Sequence, residues 1–449
     1  MTNRRNTELG LMLLAVIITA GAYVLASLGA EARIPANVVP FLVIVLGLLL
    51  GAHVALRRLA PDADPILLPV AAVLNGLGYV LIAGLPPMPN MPSGEELARQ
   101  QALWTAIGVG AFIATLVVVK RPRDLERYRY TFALVGIGLL LLPLIPGIGR
   151  EINGSRIWVG LGPVNFQPGE VAKVVLALFF AAYLADQREL IATSVWKLGP
   201  LRLPDPKYLG PVVIAWLVTL VVMVYQKDLG SSLMFFALFV VMLWVATDRP
   251  SFLVLGGGLF AAGAWFAWSA FSHVRQRVDI WLDPWQDPSD SGYQIIQGLF
   301  AMGFGGLAGT GLGLGSSVRI PASESDYIFA VVVEQLGLLG GTVVIVAFLL
   351  MVGAGLRIAS LAEHAFDKLL ATGLTLLLGV QAFLIIGGVT RLLPLTGVTL
   401  PFMSYGGSSL VVNYVLLALL LRISDRRRAT VPSVDADTGA MPAVGGGHG

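Results

Sequence analysis

A chain of 449 residues that is 56% hydrophobic and 13% charged, with mean hydropathy +0.80, lies well outside the range of water-soluble proteins. Its formal charge of +3 comes from Lys and Arg gathered in short stretches between apolar runs, which is a topology signal and argues against nucleic-acid binding. The absence of cysteine excludes disulfides and thiolate chemistry, and the four histidines include no pair at zinc-ligand spacing.

The composition predicts an all-α polytopic membrane protein, and twelve apolar runs follow in chain order. Arg4 and Arg5 precede the first, 9–29, which reads as an anchor helix because a second run, 38–56, follows at once and ends at Arg57 and Arg58. Ten more runs follow at 67–85, 102–119, 130–146, 171–184, 212–225, 232–246, 252–271, 328–351, 369–389 and 410–421. A proline-rich turn at 86–89 follows the third run. Several runs are shorter than the ~20 residues of a straight span and must borrow polar-flanked turns at their ends. Residues 424–449 lack the apolar content to fold and read as a disordered tail.

With the first basic cluster inside, both termini fall in the cytoplasm, and about twenty of the thirty Lys and Arg occupy inside loops. The exceptions carry information. Arg150, Arg156, Lys173, Lys227, Arg275, Arg277, Arg319 and Arg391 fall on the outer side, beside carboxylates. Cations placed against the topological bias suit an anionic ligand on the outer face, or ion pairs with the neighbouring acids.

The longest polar segment, 272–326, is assigned to the outside and ends on Asp326, directly before the apolar Tyr327-Ile328-Phe329-Ala330. A carboxylate at the mouth of a membrane helix is expensive to keep charged. Three shorter constellations accompany it. In Gln167-Pro168-Gly169-Glu170 the proline suits a helix start, and Glu170 and Lys173 share a face as an ion pair or a ligand site. In Lys227-Asp228-Leu229-Gly230, Asp228 is placed to cap the next helix. From Thr390-Arg391 to Ser404-Tyr405-Gly406-Gly407, prolines, glycines and hydroxyls at membrane depth imply non-helical backbone lining a cavity. The glycines between 303 and 315 lack the ending of a phosphate loop and predict a folded re-entrant loop.

Taken together, Arg156-Ile157-Trp158 after Asn153-Gly154, Gln167-Pro168 with Glu170 and Lys173, Asp228-Leu229-Gly230, Gly292-Tyr293-Gln294, Ser325-Asp326-Tyr327-Ile328-Phe329-Ala330 and Ser404-Tyr405-Gly406-Gly407-Ser408-Ser409 resemble the SEDS family of RodA and FtsW. The likeness runs from about 67 to 422 with the motifs in order, and it implies a ten-helix core, 65–423, with residues 1–64 as two additional N-terminal helices. Pro394-Leu395-Thr396-Gly397 and the two extra N-terminal helices favour its actinobacterial RodA-like branch. The resemblance implies a peptidoglycan glycosyltransferase of the bacterial plasma membrane. It would polymerise lipid II, extend an undecaprenyl-linked glycan strand at the outer face, and work with a class B penicillin-binding protein as transpeptidase.

The family's essential aspartate falls on Asp326. Arg156, Glu170, Lys173, Asp228, Arg275, Arg277, Gln294, Arg319, Arg391, Ser404 and Tyr405 are the expected supporting or substrate-binding residues. A divalent cation, Mg or Mn, is a possible aid to the leaving pyrophosphate. Departures from the family pattern are Ser325 for Thr, Tyr327 for Phe, Ala322 for Glu, Gly169 for Ser and Lys227 for Pro. The rival functions are a transporter of the same lipid-linked precursor and an FtsW-type division polymerase. Internal repeats would favour the transporter, whereas acids and cations crowded on the outer face favour the transferase.

Overall fold

The computed structural model describes residues 2–33, 38–86, 92–152, 154–162, 164–193, 195–198, 201–204, 206–316 and 319–426. Asn153, most of the turn at 86–89 and the tail from 427 onward lie outside the described residues. A bilayer offers the backbone no hydrogen-bonding partner, so each apolar run has to pair its own amides and carbonyls. All twelve runs are helical. In the N-terminal half these are α1 (Thr2–Glu31), α2 (Val38–Leu59), α3 (Leu67–Ala83), α4 (Gly94–Val118), α5 (Arg129–Leu141) and α6 (Pro168–Thr193). The C-terminal half contributes α7 (Pro206–Gln226), α8 (Leu229–Thr247) and α9 (Ser251–Ala270), then α12 (Ile328–Ser360), α13 (Ala365–Val389) and α14 (Gly407–Arg426). The long polar segment adds α10 (Ser272–Leu282) and α11 (Tyr293–Gly305).

Nine helices among the described residues are long and apolar enough to cross a membrane. The three other runs, in α3, α5 and α7, give shorter apolar helices. Burial ranks them: the apolar windows of α6, α13 and α14 are 78%, 72% and 83% buried while that of α9 is 11% buried, so the first three form the centre and α9 the periphery. The all-α expectation holds for this body. The polar connections add two small antiparallel sheets, β1 (Gly149–Ile152), β2 (Ser155–Leu161) and β3 (Val164–Phe166) in that order, and β4 (Val195–Leu198) with β5 (Leu201–Pro204).

The run 328–351 reads as one span, but the helix is broken at Gly337, where φ is 70° and ψ −173°. A returning loop takes up the backbone groups that the break releases. Thr310 and Gly311 donate their amides to the carbonyls of Glu334 (2.9 Å) and Gln335 (3.1 Å), and Leu338 donates to the carbonyl of Gly306 (2.9 Å). Gly303 and Gly305 belong to the end of α11, and from Gly306 to Gly315 the glycine series is the folded loop that the sequence predicts. Its close approach explains two of the glycines: a Cβ on Gly337 would lie 2.3 Å from the Leu307 carbonyl oxygen, and one on Gly309 would lie 2.2 Å from that of Gln335.

The N-terminal helix pair is fastened at one end of the bundle. Buried Arg5 pairs with Glu8 and donates to the Ala63 carbonyl, and His53 Nδ1 lies 3.0 Å from Glu8. The following turn is held by α14: Asp62 donates its amide to Asp425 (2.9 Å), and Asp64 to Ser424 (2.7 Å). Arg422 donates to the carbonyls of Leu59 and Val119.

Gly337→Ala combines left-handed strain with a backbone clash and should cost more than about 2 kcal/mol of stability. Gly353→Ala, on the same helix where an added Cβ meets nothing within 4 Å, should cost nothing. Thermal unfolding of both variants in detergent checks this, and equal melting temperatures would contradict the pinned break.

Candidate functional site

The segment that carries Asp326 is a tight polar turn between α11 and α12, and it is held from three sides. From below, Ser325 and Tyr327 donate their amides to the Ala322 carbonyl (3.1 and 3.2 Å). From α11, Gln294 Nε2 donates to the Pro321 carbonyl at 2.8 Å. Across from it, the segment before α14 contributes the Ser404 hydroxyl, which donates to the Ser325 carbonyl (2.6 Å) and accepts the Leu400 amide (2.8 Å). The Tyr405 amide donates to the Glu324 carbonyl at 2.8 Å. Buried Gln101 of α4 donates to the Ser404 carbonyl (3.2 Å), and the Tyr405 hydroxyl donates to Gln100, so α4 backs this segment.

Asp326 is half-buried, and burial pushes its carboxyl up from the ordinary value of 3.8 to about 6. The Glu324 carboxylate adds to the rise, and the Arg277 guanidinium opposes it. Beside the carboxylate is Gly397, where a Cβ would lie 3.7 Å from Oδ2. Arg277 of α10 donates to the Leu395 carbonyl at 3.2 Å, two residues from Gly397. The loop 394–399 therefore brings the cation and the acid to one place.

The same loop reaches the second constellation. Lys173 of α6 pairs with Glu170 at 2.8 Å and donates to Gln381 Oε1 of α13 at 3.0 Å. Gln381 Nε2 donates in turn to the Thr399 carbonyl (2.8 Å), and the Thr399 hydroxyl donates to Ser409 (2.8 Å). Glu170 and Lys173 are both buried, so desolvation makes the pair weak as a stabilising device, and its hydrogen bonds fix the loop's position instead. Asp228 accepts the Ser231 amide at 2.9 Å and caps α8. A Cβ on Gly230 would meet the Thr396 carbonyl oxygen at 3.1 Å, so the capped end of α8 abuts the loop as well.

The remaining cations of the expected group separate by what they touch. Arg391 donates to the Trp281 carbonyl (2.8 Å) and to that of Leu282, while Trp281 Nε1 donates back to the Arg391 carbonyl (3.0 Å), which fastens α10 over the site. Arg275 donates to the Ser269 carbonyl (2.9 Å) and stands over the Trp268 ring, capping α9. Arg319 is exposed and Arg156 half-buried on β2. Of the expected group, Arg277 is the cation coupled to Asp326.

Sequence reasoning passed over Gln381, Thr399 and Gln101, and named Ser409 only within its motif. An amide inside an apolar helical run is a readable signal, because it needs a partner there, and Gln381 carries that signal. Gly397 and Thr399 gave none beyond their place in a polar segment. Among the described residues no three acids or histidines converge as a protein-built metal site needs, so no step below is routed through a metal ion.

A raised carboxylate with a guanidinium beside it, at one end of a polytopic helical body, is the arrangement of a membrane-embedded enzyme. The fold is that of solved bacterial cell-wall proteins. A chain of a peptidoglycan synthase complex that coordinates polymerization and crosslinking matches with TM-score 0.67 and 27% identity, covering 82% of this chain and 98% of that one. The rod shape determining protein RodA of Thermus thermophilus matches with TM-score 0.57, 26% identity and the same coverage. The chain belongs to the FTSW_RODA_SPOVE cell cycle protein family, which matches residues 66–429. Peptidoglycan glycosyltransferase RodA of Mycobacterium tuberculosis (strain ATCC 25618 / H37Rv) is 43% identical over 449 residues, 99% of this chain and 96% of the relative. The probable peptidoglycan glycosyltransferase FtsW of Geobacter metallireducens is 33% identical, covering 82% of this chain and 96% of the relative.

A carboxyl whose folded value lies above its unfolded value holds its proton more tightly when folded. Its ionisation therefore destabilises the fold, an effect absent below pH ~4 and complete above about 6. Asp326→Asn should unfold at the wild-type temperature near pH 4 and progressively higher as the pH rises. The gain is at most about 3 kcal/mol, less for the solvent that reaches the carboxylate. A melting temperature lowered by Asn at pH 7 would contradict a desolvated acid.

Proposed function

We propose that this chain, a peptidoglycan glycosyltransferase of the RodA type, uses Asp326 as the general base of glycan polymerisation at the outer face of the plasma membrane. The glycosyltransferase activity rests on the 43% identity over 99% of the chain, and the transporter reading is set aside on that ground. The two substrates are lipid II and a lipid-linked glycan strand. A sugar hydroxyl of the acceptor attacks the anomeric carbon of the donor, the bond to the pyrophosphate breaks, and the lipid pyrophosphate leaves.

One observation carries the assignment of the base: a half-buried carboxyl raised to about 6 beside a single coupled guanidinium. At neutral pH such a group is ionised and still basic enough to take the hydroxyl's proton. Arg277 is placed to steady the negative charge that gathers on the pyrophosphate. Glu170, Lys173, Asp228, Ser404, Tyr405, Gln294 and Arg391 act through position, by holding the three segments that meet at Asp326. Arg156, Arg275 and Arg319 are further outward cations that would guide the anionic lipid. A divalent cation bound to the pyrophosphate itself could share in this charge neutralisation.

Strands become wall only when cross-linked, and the solved relative belongs to a complex that joins polymerization to crosslinking. The partner proposed for this chain is accordingly a class B penicillin-binding protein. Purified chain with that partner should convert lipid II to polymer, and Asp326→Asn should abolish this by ~10²-fold or more with folding intact. Near wild-type polymer from the Asn variant would end the assignment of the base.

Sidedness is tested separately. A single cysteine at Ser289, in a chain with none of its own, should react with an impermeant thiol reagent in intact cells. Reaction only after the cytoplasm is opened would invert the proposed topology.

A further inference from the structure

A cavity of about 280 Å³ lies between the N-terminal helix pair and the body, away from Asp326 and on the other side of α4. Its walls are Phe41, Ile44 and Leu48 of α2, Tyr79 of α3, and Ala102 and Val109 of α4. At one end Phe41 stacks on Tyr79 with ring centroids 4.7 Å apart, and Tyr23 of α1 lies 4.5 Å from Phe41. The floor is polar yet self-satisfied: Asn75 donates to the Tyr414 hydroxyl at 2.8 Å and to Thr105 at 3.2 Å. Glu95 and Arg99, exposed on the first turns of α4, line the mouth.

These features choose among occupants. A sugar needs unpaired donors and acceptors along a pocket, and the floor groups here are already paired with one another. Water would find few partners among apolar walls, and an empty gap would lose the dispersion contacts of its lining. Ile44 and Ala102 line the cavity from α2 and α4, whose apolar windows are only 24% and 28% buried, so the cavity lies at the periphery of the body where hydrocarbon is the solvent. Arg99 lines the same cavity from the first turns of α4, and a guanidinium suits a phosphate.

We propose that this cavity is a binding site for one acyl chain of an anionic phospholipid, with its phosphate at Arg99, and that the lipid fills the joint between the N-terminal helix pair and the body. The site is built by α1 and α2 together with α3, α4 and α14, so it exists only where the extra helices are present. Through α4 it backs Gln100 and Gln101, which hold the 404–405 segment against the turn of Asp326.

Native mass spectrometry of the full chain, released from nanodiscs of equal phosphatidylglycerol and phosphatidylcholine, tests this. One phosphatidylglycerol should remain bound per wild-type chain. Ala102→Trp, which fills the cavity, should reduce retention about tenfold, and Arg99→Glu should reduce phosphatidylglycerol about fivefold without favouring its loss of phosphatidylcholine. Leu48→Trp serves as the second filler if Ala102→Trp does not elute as a single species. Absence of retained lipid in the wild type, or retention unchanged in both a filler and Arg99→Glu, overturns the proposal. Preferential retention of added undecaprenyl phosphate over phosphatidylglycerol overturns the assignment of the occupant.

Discussion

Two hydrogen bonds across one end of the bundle, from the Ser404 hydroxyl to the Ser325 carbonyl and from the Tyr405 amide to the Glu324 carbonyl, decide where the carboxylate of Asp326 stands. The turn itself is short and lies between helices that point elsewhere. Without these bonds its position would depend on Gln294 and the local turn alone. With them, an acid in α12's approach, a cation on α10 and the non-helical loop 394–399 share one small volume. The proposed chemistry needs that arrangement, because proton removal and charge stabilisation must act on the same reacting centre.

The membrane imposes the rest. Non-helical backbone at depth has to find its partners within the protein, and this chain does so twice. The glycine loop 306–316 saturates the break in α12, with the Glu334 and Gln335 side chains accepting the amides of Ser316 (2.7 Å) and Gly313 (3.0 Å). In the segment 394–409, Gln381 takes up the Thr399 carbonyl, Gln101 the Ser404 carbonyl and the Ser404 hydroxyl the Leu400 amide. Both irregular segments flank the turn of Asp326, so the polar groups that satisfy the backbone also hold the site in place.

Much of this was legible in the sequence. Hydropathy placed all twelve helical runs, and Asp326 stood out because a carboxylate beside an apolar run is costly. Asp228 was readable as a helix cap from its place just before the eighth apolar run, and the glycine series as a re-entrant loop. The break at Gly337 was not legible, since Leu336-Gly337-Leu338 looks like any apolar helical stretch and only the returning loop requires the bend. The cations could not be ranked either. Arg275, Arg277 and Arg391 are alike as letters, and tertiary placement commits Arg391 and Arg275 to helix-end carbonyls while leaving Arg277 coupled to the acid. The short strands around Gly154 fall in a segment too brief for alternation to register.

The most direct test of Asp326 as a base tuned by burial and by Arg277 is the pH dependence of kcat/KM for lipid II polymerisation, measured for the wild type and for Arg277→Gln. The wild type should lose activity as the pH falls through about 6. In Arg277→Gln the same limb should move to higher pH, because removing the guanidinium removes the charge that favours the ionised carboxylate. Superimposable profiles for the two enzymes, or a rate with no ionisation between about pH 5 and 7, would contradict it.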